Sequence, residues 1–239
     1  LTRKDLKGAW RLASGVVNSV LIVLVLVSTL MWIFAPFLVE HGLFALVPDS
    51  NAVQVAETSH LLRIMLPTVI IFGISGLVMG MLNAHQVFLW PALAPAFYSL
   101  GIILGVLVLP ETWGIDRLAI GTVFGAAGHL LLQLPALLRL PARKYEPGAG
   151  FKDAPVRSVL RLMLPRIFGA GIVQLNFVAN TIISLSLGAG SASALTWAFT
   201  LMLMPQAAIA QSAGTASLPT LSAQVELGKS DEFRQTLSG

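Results

Sequence analysis

The sequence predicts an all-α, polytopic membrane bundle of about six helices, and three observations carry that prediction. Only 11% of its 239 residues are charged while 56% are hydrophobic, and a water-soluble domain usually carries about a quarter of its residues as Asp, Glu, Lys and Arg. Mean hydropathy is +0.82, so there is too little polar surface to cover a body in water. Several apolar runs also reach the roughly 20 residues needed to cross a hydrocarbon core. Helices are required there, because an open strand in lipid leaves its backbone N–H and C=O groups unpaired.

Bounded by charge, Pro and Gly, the apolar runs fall at about 12–39, 61–82, 91–109, 117–139, 158–188 and 193–222. The first comes after a charged lead, Thr2-Arg3-Lys4-Asp5-Leu6-Lys7, but is far longer than a signal-peptide core and has no small-residue cleavage site after it. Short connections, Asn83-Ala84-His85-Gln86 and Gly188-Ala189-Gly190-Ser191, imply antiparallel neighbours. Pro67, Pro95, Pro165, Pro205 and Pro219 lie inside spans, where each removes a donor and tends to bend its helix. Pro135 and Pro141 stand where they are expected to help terminate the fourth. The chain opens on Leu1 and closes on Leu237-Ser238-Gly239 without terminating logic, so it reads as an internal piece of a longer protein.

Lys and Arg accumulate in short cytoplasmic segments of membrane proteins. Here they cluster in the lead (Arg3, Lys4, Lys7, Arg11), between spans four and five (Arg139, Arg143, Lys144, Lys152, Arg157, Arg161) and in the tail (Lys229, Arg234). The other side holds only Arg63 and Arg117 beside Glu40, Asp49, Glu57, Glu111 and Asp116. An even number of spans with both ends cytoplasmic fits this asymmetry.

Several chemistries are excluded or unsupported. There is no Cys, so no thiolate metal site, disulfide or cysteine nucleophile can be built. His41, His60, His85 and His129 make no metal-ligand spacing, and no cofactor is expected. The net charge of +4 arises from topology, and no nucleic-acid motif accompanies it. No phosphate-binding Gly-Lys-Ser/Thr loop and no paired intramembrane carboxylates occur. Catalysis is not expected, and transport would need an energy source other than ATP.

Spans two, three and four each carry a Gly-x-x-x-Gly pair, Gly76/Gly80, Gly101/Gly105 and Gly121/Gly125. Small residues at this spacing let helix backbones approach closely in lipid, as static packing or as a sliding surface. The fifth and sixth spans are instead polar through their middles, where a buried polar group is costly unless it meets a partner or a hydrated cavity. Span five holds Arg166, Gln174, Asn176, Asn180, Thr181 and Ser184. Asn176 and Asn180 share one face, and Gln174 and Thr181 another. Span six carries Thr196, Thr200, Gln211 and Gly214 along one stripe, with Gln206 and Ser212 to its sides. Arg166, Gln174, Asn176, Asn180, Thr181, Thr196, Thr200 and Gln211 are the substrate-cavity candidates, with amides bonded only between helices as the bland reading. Arg166 either snorkels to the cytoplasmic interface or faces a ligand. His129 and Gln133, one turn apart on span four, are expected to form a structural hydrogen-bonded pair.

Particular strings go further. Leu66-Pro67 followed by Gly80-Met81-Leu82-Asn83-Ala84, Phe88, Pro91-Ala92 and Ala94-Pro95 resembles the fourth and fifth helices of the MurJ/MviN lipid II flippase family. Leu118-Ala119-Ile120-Gly121 leading to Gln133-Leu134-Pro135 resembles its sixth. Gln174 with Asn180-Thr181 looks like the seventh. Met204-Pro205, Gly214-Thr215, Leu218-Pro219-Thr220-Leu221-Ser222 and Asp231-Glu232-Phe233-Arg234 look like the eighth helix and the segment after it.

The resemblance implies about half of a fourteen-helix, two-lobed exporter. Residues 1–145 would hold helices three to six of the N-terminal lobe, and 146–239 a cytoplasmic loop with helices seven and eight. It further implies movement of lipid II across the bacterial cytoplasmic membrane by alternating access, with lipid II and membrane lipids as partners and any coupling ion unidentified. The alternatives are an exporter of another lipid-linked oligosaccharide, an ion-coupled drug exporter of the same fold, or a membrane scaffold without transport. Many members carry a charged Asp-Arg or Tyr-Arg pair near the start of the eighth helix, where this chain has Phe199-Thr200.

Overall fold

A computed structural model describes residues 6–45, 51–141, 144–148, 150–188 and 190–206, with isolated positions 224, 234 and 236. Among them the chain is helical and carries no strand. The long helices are α1 (Leu6–Ile33), α3 (Ala52–Ala84), α4 (Leu89–Val108), α5 (Asp116–Leu138), α6 (Ala154–Ser186) and α7 (Ser191–Gln206), with a short α2 (Ala35–Leu38) after α1. Five of them, α1, α3, α4, α5 and α6, are long and apolar enough to cross a membrane. The last is described over 16 residues, and the remainder of the sixth expected span, 207–222, lies outside the described residues.

The first span departs most from expectation. An unbroken run over 12–39 is predicted, but α1 ends at Ile33, and α2 and a π-helical turn (Val39–Leu43) come after it. The cause is Pro36. It has no N–H to give the Trp32 carbonyl four residues earlier, and the Arg63 side chain of α3 fills the vacancy, its Nε donating to that carbonyl at 3.0 Å. The guanidinium also lies 4.9 Å from the centre of the Trp32 ring, a cation–π arrangement. Pro135 lies inside α5 near its end, three residues before the helix stops at Leu138.

Local signals set the other ends. A capping box starts α3: Asn51 Oδ1 accepts from the Gln54 amide at 2.9 Å, and Gln54 Oε1 accepts from the Asn51 amide at 3.2 Å. The α3–α4 turn passes through Gln86 at φ 59, a left-handed conformation that favours glycine and strains other residues.

The chain divides into two compact units, Leu1–Phe177 and Val178–Gly239. In the first, the helices stand in the spatial order α1, α3, α5, α4. α3 and α5 run parallel: their starts meet through His60 and Asp116, 3.1 Å apart, and their ends through a core of Val78, Leu82 and Ala136. α1 runs the other way, so that its Trp10 ring lies 6.2 Å from His85 at the end of α3. In the second unit the described helices are the end of α6 and α7.

Candidate functional site

Polar side chains in these helices meet three different fates. The first is enclosure between α3 and α5. Ser75 Oγ and His129 Nδ1 are 2.7 Å apart, and Gln133 Nε2 donates to Ser75 Oγ at 2.8 Å and to the His129 carbonyl at 3.0 Å. Gln133 is 0% exposed. Phe72 packs its edge on His129 at 5.2 Å and on Tyr98 at 5.0 Å, so the triad sits in an aromatic wall. Sequence spacing pairs His129 with Gln133, but Ser75 comes from 54 residues away and only the fold supplies it. Gln133 Oε1 is buried with no partner among the described residues.

The second fate lies at the N-terminal end of α1. Trp10, Ser14 and Asn18, four residues apart, occupy one helical face, with Arg11 beside it. Together they hold the α5–α6 connection, whose described residues form turns rather than a helix. Trp10 Nε1 donates to the Pro141 carbonyl at 3.1 Å, and the Glu146 amide donates to Ser14 Oγ at 3.1 Å. Asn18 Nδ2 donates to the carbonyls of Glu146 (3.2 Å) and Pro147 (3.3 Å), while its Oδ1 accepts from the Tyr145 hydroxyl. Arg11 reaches Asp153 at 2.9 Å and lies 3.9 Å from Glu146. The Gly150 amide, donating to Asp153 at 3.0 Å, and after it the Arg11 guanidinium hold the Asp153 carboxyl below its ordinary range. Each of the neutral bonds contributes about 0.5–1.5 kcal/mol net, while solvent screens the exposed ion pair. Sequence reading passes over this cluster, because lone Ser and Asn in an apolar run look like tolerated polarity. Their common spacing of four is the signal that could have found it.

The third fate is exposure. No side chain from Arg157 to Ala179 on α6 is buried, and the apolar Leu162 and Phe168 are 73% and 71% exposed. Arg166, Gln174 and Asn176 all lie on this open stretch. In the second unit, Asn180 is half-buried and Thr181 exposed. Thr196 and Thr200 are exposed on α7, their hydroxyls donating to the carbonyls of Ala192 and Thr196 at 2.8 Å. Gln211 lies outside the described residues. Along α6, Gln174 and Thr181 fall about 20° apart around the helix, and Asn176 and Asn180 about 40° apart, at 100° per residue. The two pairs therefore form two polar faces, not one stripe.

The glycines also divide. At the α4–α5 crossing, a Cβ on Gly101 would strike the Gly125 backbone, and one on Gly125 the Tyr98 carbonyl. A Cβ on Gly105 would come within 2.5 Å of Gly121 Cα and 2.7 Å of the Arg117 carbonyl. The two Gly-x-x-x-Gly pairs thus interlock backbone to backbone. At Gly76 and Gly80 a Cβ would meet nothing within 4 Å.

The family model described as "Lipid II flippase MurJ" matches residues 1–239. The chain is 32% identical to the lipid II flippase MurJ of Burkholderia cenocepacia over 191 residues, 78% of this chain and 36% of that protein. It is 33% identical to the probable lipid II flippase MurJ of Bdellovibrio bacteriovorus over 202 residues, 81% and 38%. Against the probable lipid II flippase MurJ of Buchnera aphidicola subsp. Schizaphis graminum, identity is 25% over 239 residues, 99% and 46%. The chain therefore spans less than half the length of these relatives.

Proposed function

The chain belongs to the MurJ lipid II flippase family, and on that premise we propose that the complete protein moves lipid II from the inner to the outer leaflet of the bacterial cytoplasmic membrane. It does so as a transporter rather than a catalyst. Residues 1–145 supply helices three to six of the N-terminal lobe. Residues 146–239 supply the connecting loop and helices seven and eight of the C-terminal lobe. The N-terminal end of α1 and the α5–α6 connection face the cytoplasm, in keeping with the basic residues Lys7, Arg11, Lys144, Lys152 and Arg157.

One observation supports the transport reading beyond family membership. α6 is long enough to span, yet presents Gln174, Asn176 and the cation Arg166 on its exposed surface. Facing hydrocarbon, that surface would be costly. In a two-lobed exporter it faces water and the polar headgroup of the cargo. Asn180, Thr181, Thr196, Thr200 and Gln211 extend the polar set, and Phe199-Thr200 takes the place of a charged pair, so cargo contact there is made without a cation.

The test is to express the complete reading frame in bacteria depleted of their own lipid II flippase. Rescue of growth is expected, with residues 1–239 alone giving none. Failure despite good expression and membrane insertion would overturn lipid II as the cargo. In the same complete protein, cysteines at positions 174 and 176 are expected to react with a water-soluble maleimide. Protection of both in every state of the cycle would remove α6 from the cavity.

A further inference from the structure

We propose that Arg11 and Asn18 are positioning residues: with Tyr145 and Asp153 they clasp the α5–α6 connection to α1 throughout the transport cycle. The first span, the connection and the root of α6 then move as one body. This rests on the transport reading, and adds which parts of the chain keep their mutual geometry while others move.

The connection has no regular structure to satisfy its own backbone over its described residues. The side chains of α1 tie it down through six hydrogen bonds, four to its backbone at Pro141, Glu146 and Pro147 and two to the side chains of Tyr145 and Asp153. The bonds run from Trp10 to Asn18, eight steps along α1 or about 12 Å at 1.5 Å per residue. Such a spread resists both sliding and tilting, which a single contact would allow. Both ends of the connection are enclosed: Trp10 is 7% exposed and Val156, in the first turn of α6, 1%. The connection also lies close along the helix, a Cβ on Gly150 coming 3.8 Å from Ser19 Oγ.

A latch that opened in each cycle would have to surrender these contacts together and leave the carbonyls of Pro141, Glu146 and Pro147 without their α1 donors. Packed interfaces of this sort hold one arrangement or jump to another, and do not yield gradually. Each of those carbonyls meets an α1 donor at 3.1–3.3 Å, and keeping all of them together favours the one clasped arrangement. Asp153 stands immediately before α6, so the clasp fixes where that helix begins. The part of α6 within the first unit, Gln174 and Asn176 included, is referred to α1 through it.

The experiment uses the complete protein, with any native cysteine elsewhere replaced, in vesicles of bacterial phospholipid containing lipid II. Ser14 Oγ is 3.1 Å from the Glu146 amide nitrogen, which places Ser14→Cys and Glu146→Cys within disulfide reach. Oxidation to completion is expected with or without lipid II in the vesicles. A fraction that resists oxidation and reacts with a maleimide would overturn the proposal, whatever the cargo proves to be. Transport by the oxidised protein is expected to stay within about twofold of the reduced protein. Arrest by oxidation that a reductant reverses would show a latch that must open, and would also overturn it. Asn18→Leu and Arg11→Ala should lower transport on the order of tenfold with the amount of folded protein unchanged, the size typical of substitutions that disturb coupling between elements. Oxidising the cysteine pair in the Asn18→Leu background should restore most of that loss, since the tether replaces the clasp. Absence of rescue in a well-expressed variant would make Asn18 a local stabiliser and defeat the positioning role. If the unsubstituted protein moves no lipid II, the flippase reading fails, while the oxidation yield still decides the clasp.

Discussion

Helices α5 and α6 are both apolar enough to span a membrane, both carry a proline inside the helix and both hold amides or hydroxyls in mid-span. Their polar groups are treated oppositely. On α5, Thr122, His129 and Gln133 are buried, with Thr122 returning its hydroxyl to the Leu118 carbonyl at 2.8 Å and the other two bonded to Ser75. On α6, Gln174 and Arg166 stand open. A polar residue within a span therefore has no fixed meaning by itself. Where neighbouring helices close over it, it is a weld between them. Where they do not, it marks the surface that the rest of a larger protein, its water or its cargo must satisfy.

The comparison breaks most visibly at the glycines that let α4 and α5 close. Gly105→Val places its side chain against the Gly121 and Arg117 backbones, which cannot retreat as a side chain could. A loss of about 3 kcal/mol or more is expected, read as a collapse of Tm in detergent. Gly76→Ala and Gly80→Ala, open at Cβ, should gain up to about 1 kcal/mol from helix propensity. A Gly105→Val protein as stable as the parent would mean that the crossing contributes nothing to holding the bundle together.

The α3–α5 weld is the next largest effect. Ser75→Ala leaves His129 Nδ1 only a 3.3 Å contact with Gln133 Nε2 and should cost about 1–3 kcal/mol. Gln133→Leu removes an amide oxygen that is buried without a partner among the described residues, and should cost less than Ser75→Ala. The reverse order would show that the Gln133 Nε2 bonds to Ser75 and the His129 carbonyl outweigh the relief of removing its unpartnered Oε1. On α6, by contrast, Gln174→Leu should change stability within about 0.5 kcal/mol and lower transport; a clear loss of Tm there would erase the contrast between the helices.

The smallest effect is that of acid on the clasp. Asp153 has a folded-state pKa below its ordinary 3.8, so its contribution is fully present above that value. It is lost as pH falls through the lower folded value. At neutral pH the parent and Asp153→Asn proteins should therefore differ by a constant amount, and below about pH 4 the difference should shrink. A difference that persists unchanged into strong acid would mean that the carboxylate charge is not what holds Arg11 and Gly150.

Much of the fold is legible in the sequence because lipid imposes one rule on every span. Apolar length fixes the helices, while the helices themselves run past the apolar stretches, α1 from Leu6, α3 from Ala52 and α6 from Ala154. Pro36 ends α1 early because Arg63, thirty-one residues away from Trp32, offers the alternative donor. No local window contains both. The glycine pairs of α4 and α5 can be read as a motif, but which pair meets which is a property of the packed bundle, and Gly76/Gly80 have the same spacing with open space around them. The α6 candidates are visible as polarity alone. The clasp is not visible that way, since half of it is backbone of a connection that carries no periodic signal.

The repair at Pro36 has a genetic consequence. In a chain with Ala at position 36, the Trp32 carbonyl can find its donor within its own helix, and Arg63 loses one of its two tasks. The cost of losing Arg63 should thus depend on residue 36, large beside proline and smaller beside alanine. Such a pair is epistatic: the loss of Arg63 would cost less in the Pro36→Ala background than beside proline, so the two effects would not add. Lys at position 63 would restore the charge without the planar face that lies over Trp32, so it would suppress the defect only in part.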